Sequence, residues 1–110
     1  MTKLETGYTD MIADLKRLFG KINALYDFFS RDNKYIKQIP FQHEKLSAAK
    51  SLIENAGDKN IEFDKLEPYE IEAELTEMVS LITDSKKFLS DIVIEIEKIT
   101  GKKIRFRSEL

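Results

Sequence analysis

From the N-terminus, apolar residues fall at Leu4, Tyr8, Met11, Leu15, Leu18, Ile22, Leu25 and Phe29, in steps of 4, 3, 4, 3, 4, 3 and 4. A β-strand needs a period of two, whereas alternating steps of three and four place all these residues on one stripe of an α-helix. The pattern returns at Ile71, Leu75, Met78, Ile82, Ser85, Leu89, Ile92, Ile96 and Ile99, with Ser85 its single polar member. Two such stripes leave little of a 110-residue chain for anything else. The expected fold class is all-α: a three-helix bundle with two long heptad-patterned, coiled-coil-like helices and a shorter middle helix.

Ile12, Phe19 and Tyr26 run beside the first stripe and widen its apolar face beyond what a two-stranded coiled coil needs. Its helix starts near Thr2 or Lys3. Its end is open: Ser30-Arg31-Asp32-Asn33 is prone to turn, yet the heptad frame continues to Ile36 and Ile39. Pro40 disfavours helical backbone at Ile39, so the helix is over by then. The middle helix is expected from Phe41 or Gln42 to Ala56. It would bury Leu46, Ala49, Ile53 and Ala56, with Leu52 alongside, and stop at Gly57 through a positive φ. Residues 58–67 read as a loop that Ile61, Phe63 and Leu66 can pin to the helices. Pro68 suits the first turn of the last helix, and Glu67, Glu70, Glu72 and Glu74 suit its positive end. Val79, Phe88 and Val93 broaden that helix, and Gly101 ends it. Residues 1–101 are expected to form one domain. Residues 102–110 form a basic tail, read as an edge strand, a docked extended segment or a frayed end.

Net charge is −2, which argues against a nucleic-acid partner for the chain as a whole, but the charge is uneven. Residues 68–100 sum to −5 and residues 101–110 to +3. Lys102, Lys103, Arg105 and Arg107 are therefore the candidate anion contacts. No apolar run approaches the roughly 20 residues that span a bilayer. Cysteine is absent, and the opening Met-Thr-Lys-Leu-Glu-Thr is charged too early for a secretory leader. The expected location is the cytoplasm.

The chemistry of catalysis is thinly represented. His43 is the one histidine, and with no cysteine the usual parts of nucleophilic catalysis are missing. Carboxylates one turn apart, such as Glu70 with Glu74 and Asp91 with Glu95, occur without the Glu-x-x-His spacing of di-metal bundles. Phosphate-cradling glycine loops and nucleophile-elbow sequences do not occur. No catalytic residue, metal site or cofactor is therefore expected. The stretch His43-Glu44-Lys45-Leu46-Ser47-Ala48-Ala49 resembles, over fewer than ten residues, the phosphoacceptor helix of histidine phosphotransfer domains. The resemblance implies a signalling role centred on His43. It departs from that family in the order of Lys45 and Leu46, which is reversed.

The function expected from these readings is a non-enzymatic protein–protein interaction module: an adaptor, inhibitor, immunity-type protein, assembly chaperone or structural subunit. A short middle helix cannot shelter two long ones along their whole length. The remaining seam would associate, as a homodimer or with a helix-rich partner. The expected interface residues are Tyr26, Phe28, Phe29, Met78, Ile82, Ser85, Leu89, Ile92 and Ile96. In the other reading, a closed monomer folds residues 31–40 and 58–67 over the gap, and Ser85 is a small core residue bonded back to the carbonyl four residues earlier. A dimer presenting basic tails to nucleic acid is the alternative function, with phosphotransfer behind it.

Overall fold

The computed structural model describes residues 3–58 and 61–106, residues 3–6 by backbone alone. Among the described residues the chain is all-α. Helix α1 covers Lys3–Ser30, α2 Asn33–Gln38, α3 Pro40–Gly57 and α4 Pro68–Thr100, with a short 3-10 turn at Phe63–Lys65. α4 has 33 residues, so at ~1.5 Å per residue it runs the full 50 Å length of a molecule whose other dimensions are 27 and 20 Å. α1 is the central element: it packs on both α3 and α4, which touch each other less.

The two stripes do most of the packing. Tyr8, Leu15, Leu18, Ile22, Leu25 and Phe29 of α1 join Met78, Ile82, Leu89, Ile92 and Ile96 of α4 in one core, with Leu46 and Ile53 of α3. Met11, Ile71 and Leu75 are half-buried, and Leu4 lies outside the described side chains. Ile99 is exposed, so the α4 stripe closes at Ile96. Leu52 and Val79 are exposed as well: each is about 100° around its helix from the midline of the buried stripe, at ~100° per residue. Ser85 is buried in the α4 stripe without the expected hydrogen bond to the Leu81 carbonyl.

The breaks between helices follow local chemistry. Asp32 caps α2, its carboxylate accepting from the Lys34 N–H at 2.9 Å, so the chain stops at Ser30 and restarts as a separate turn and a half. Ile39, forced off helical backbone ahead of Pro40, has φ −130° and ψ 51° and is fully buried between α2 and α3. Pro40 then opens α3. Gly57 does not take the positive φ expected of it: α3 runs out through Asp58 at φ −86°, whose N–H donates to the Glu54 carbonyl at 3.1 Å. At the start of α4, Pro68 stands in the first turn and the Glu67 N–H donates to the Glu70 carboxylate at 3.2 Å. Gly101 is the single positive-φ residue among those described, at φ 71°, and ends α4.

Three peripheral pieces cover what α3 is too short to reach. Tyr35 of α2, Ile61 and Phe63 of the connection to α4, and Ile104 and Phe106 beyond α4 all pack against the core. The Phe63 ring meets Tyr8 edge-on at 5.3 Å. Leu66 is half-buried.

Candidate functional site

The second half of α1 carries Gly20, Ala24 and Phe28 on one row and Lys21, Leu25 and Phe29 on the next, each spaced by four residues and so aligned along the helix. The positive φ of Gly101 turns the chain back along these rows. Residues 102–106 run extended, alternating side by side as such backbone requires. Ile104 and Phe106 face inward, while Lys103 and Arg105 are exposed. The described part of the tail, residues 102–106, is thus docked on the core.

Two kinds of contact hold it. The Ile104 N–H donates to the Glu97 carboxylate at 2.8 Å. The Lys102 ammonium donates to the Tyr35 hydroxyl and lies 4.1 Å from the Tyr35 ring centre and 5.9 Å from that of Phe28. Lys21 reaches across from α1 to within 5.8 Å of the Phe106 ring. Between helix and tail lies a groove of about 440 Å³. Its walls are mostly apolar, and they include Lys21, Lys102, Lys103 and Arg105, with no carboxylate among the described lining residues. Among the described residues none of these four cations forms an ion pair.

Phe28 is the exposed anchor of this groove, at 45% exposure, whereas its neighbour Phe29 is at 1%. It is held edge-on to Phe29 at 5.1 Å and stacked on Tyr35 at 5.8 Å. Two features read separately in the sequence, the Phe28–Phe29 pair and the basic tail, therefore meet at one place. Lys102, Lys103 and Arg105 line the groove, and Arg107 lies outside the described residues. Phe29, Met78, Ile82, Ser85, Leu89, Ile92 and Ile96, expected at an interface, are buried inside this chain's own core. The covering pieces leave no open seam at those positions. Lys21 was not singled out from the sequence, and Phe106 was read only as part of the basic tail. Their partnership depends on the reversal at Gly101, although the basic–apolar alternation of residues 103–106 carries half of the signal.

Tyr26 faces the other way, toward α3. It is half-buried, stacked on His43 at 4.6 Å, with the Lys50 ammonium 4.6 Å from its ring centre. His43 Nε2 stands 2.7 Å from Ser30 Oγ, which is also 2.6 Å from the Tyr26 carbonyl. A hydroxyl has one proton. Given to the carbonyl, it leaves Ser30 Oγ as acceptor and the imidazole Nε2 as donor. That is the reverse of what an activated serine nucleophile requires. Nearby, the buried Gln42 amide donates to the Glu95 carboxylate at 2.5 Å, tying α3 to α4. No motif announces that pair.

Among the described residues no three His, Asp or Glu side chains gather as metal ligands, and no helix is long and apolar enough to cross a membrane. No family model, curated protein or solved structure matches the chain.

Proposed function

We propose that this protein is a non-enzymatic protein–protein interaction module that receives a partner in the groove between α1 and the C-terminal segment. Its scaffold is read as a three-helix bundle of α1, α3 and α4 with coiled-coil-like stripes, stiffened by the three covering pieces, and its place as the cytoplasm. One observation carries the reading: an apolar cavity with an exposed aromatic anchor is lined by four cations that, among the described residues, pair with no carboxylate. A solvent-exposed Phe fixed by two further rings loses little side-chain entropy on binding, which is the profile of an interface hot spot.

Association through the heptad stripes is a weaker form of the same proposal, because those residues are already spent on internal packing. The test is affinity capture from extracts of the source organism with the wild type, Phe28→Ser and the distant exposed control Thr83→Arg. Loss of captured protein with Phe28→Ser alone supports the groove. Equal capture by all three removes it. Light scattering of the purified chain, with and without Phe28→Ser, tells whether the groove is filled by a second copy.

A further inference from the structure

We infer that the occupant of the groove is an acidic amphipathic helix of another protein, which seats apolar side chains against Phe28 and Phe106 and sets carboxylates on Lys21, Lys103 and Arg105. The inference rests on the interaction-module reading and adds the chemistry of the partner. Three observations lead to it.

The first is the shape of the charge. From Lys102 to Arg105 the extended tail covers about 10 Å at ~3.3 Å per residue, and Lys21 faces it from α1. Cations spread over that distance match several anionic groups rather than the single head of a fatty acid. The second is their availability: Lys103 and Arg105 are exposed and, among the described residues, their side chains form no hydrogen bond or ion pair. The third is the floor. A mostly apolar cavity of about 440 Å³ falls in the ~300–1,000 Å³ range of sites that bury most of what they bind, so the occupant brings apolar side chains as well as charge. A polyphosphate chain fits less well, because it brings no apolar side chains to fill the mostly apolar cavity. Helix-in-groove docking with flanking carboxylates uses both features at once.

The experiment uses the whole chain and two fluorescent peptides. One is an amphipathic helix with Leu and Phe on one face and Glu on the other. The second keeps the apolar face and replaces Glu by Lys. Fluorescence anisotropy is expected to show binding of the Glu peptide, weaker at higher salt, and at least about tenfold weaker binding of the Lys peptide. The double change Lys103→Glu with Arg105→Glu should weaken the Glu peptide by about tenfold or more and improve the Lys peptide. Phe28→Ser should weaken both. Circular dichroism establishes that each variant keeps its helix content, and the two charge changes alter only exposed side chains.

Equal affinity for the two peptides, or indifference of the Glu peptide to the charge reversal, overturns the inference. Displacement of the Glu peptide's place by a single-stranded RNA oligonucleotide that binds the wild type and not the charge-reversed variant also overturns it. A captured natural partner that depends on Phe28 and carries no acidic helix would sink the partner chemistry and leave the interaction reading standing. Absence of any Phe28-dependent partner sinks the interaction reading itself.

Discussion

Ser30 Oγ and His43 Nε2 stand 2.7 Å apart, joining the last residue of α1 to the opening turn of α3 across the intervening α2. The pair closes a loop of backbone that holds α2 against the core. Ser30→Ala is expected to cost about 1 kcal/mol, a fall of about 4 °C in the melting temperature. In a double-mutant cycle with His43→Ala the coupling should be of the same size. Additive losses, with no coupling, would show that the two atoms are neighbours without a bond.

Phe28 and Phe29 are adjacent in sequence and opposite in role. Phe29→Ala removes a ring from the core and is expected to cost about 3–5 kcal/mol, enough to unfold a large share of a marginally stable protein. Phe28→Ala should cost about 1 kcal/mol or less, since almost half of that side chain already meets water. Urea denaturation of the two variants measures both. Similar losses would contradict the assignment of Phe28 to the groove mouth.

The glycines that end α3 and α4 should respond to alanine with opposite signs. At Gly101, φ is 71°, and a Cβ there costs about 1 kcal/mol. Relaxation of the backbone away from positive φ there would also release the tail from Glu97 and Tyr35. At Gly57 the backbone is helical and an added Cβ meets no atom within 4 Å. There alanine should stabilise by about 0.5 kcal/mol by narrowing the unfolded ensemble. Melting curves of Gly57→Ala and Gly101→Ala on either side of the wild type would bear this out. A shift of the same sign in both would not.

Buried Gln42 and half-buried Glu95 form a polar tie between α3 and α4. Gln42→Ala strips the Glu95 carboxylate of that partner and should lower stability by about 1.5–3 kcal/mol, the range for hydrogen bonds to charged groups. Gln42→Leu paired with Glu95→Leu should recover much of the loss, because apolar groups of similar shape replace a polar pair with little net change. Failure of the double variant to recover would mean that Gln42 acts through packing alone.

The stripes of α1 and α4 were legible because helix periodicity is a local property of the chain: among the described residues, all eleven buried apolar positions on those two helices fall on the two stripes. Pro40, Pro68 and Gly101 were legible for the same reason, each acting on its own backbone. Gln42 was not, since a glutamine reads as surface until Glu95 is known to stand opposite. The covering role of Tyr35, Ile61, Phe63, Ile104 and Phe106 was only half visible. Each is an isolated apolar residue in a polar stretch, and what recruits it is the gap left by the short α3, a matter of three-dimensional length. The groove was invisible for a further reason: its walls come from residues about eighty positions apart, brought together by one glycine.

The two sides of that groove are built to different standards. One is a helix buttressed along its length, and the other is a five-residue strip suspended from the Gly101 turn. The strip can lift while every helix stays folded, so the cavity has a lifetime of its own, set by a few weak tethers rather than by global unfolding. Amide exchange at Ile104 therefore reports how often the receptor surface dissolves and reassembles, a clock independent of the melting temperature.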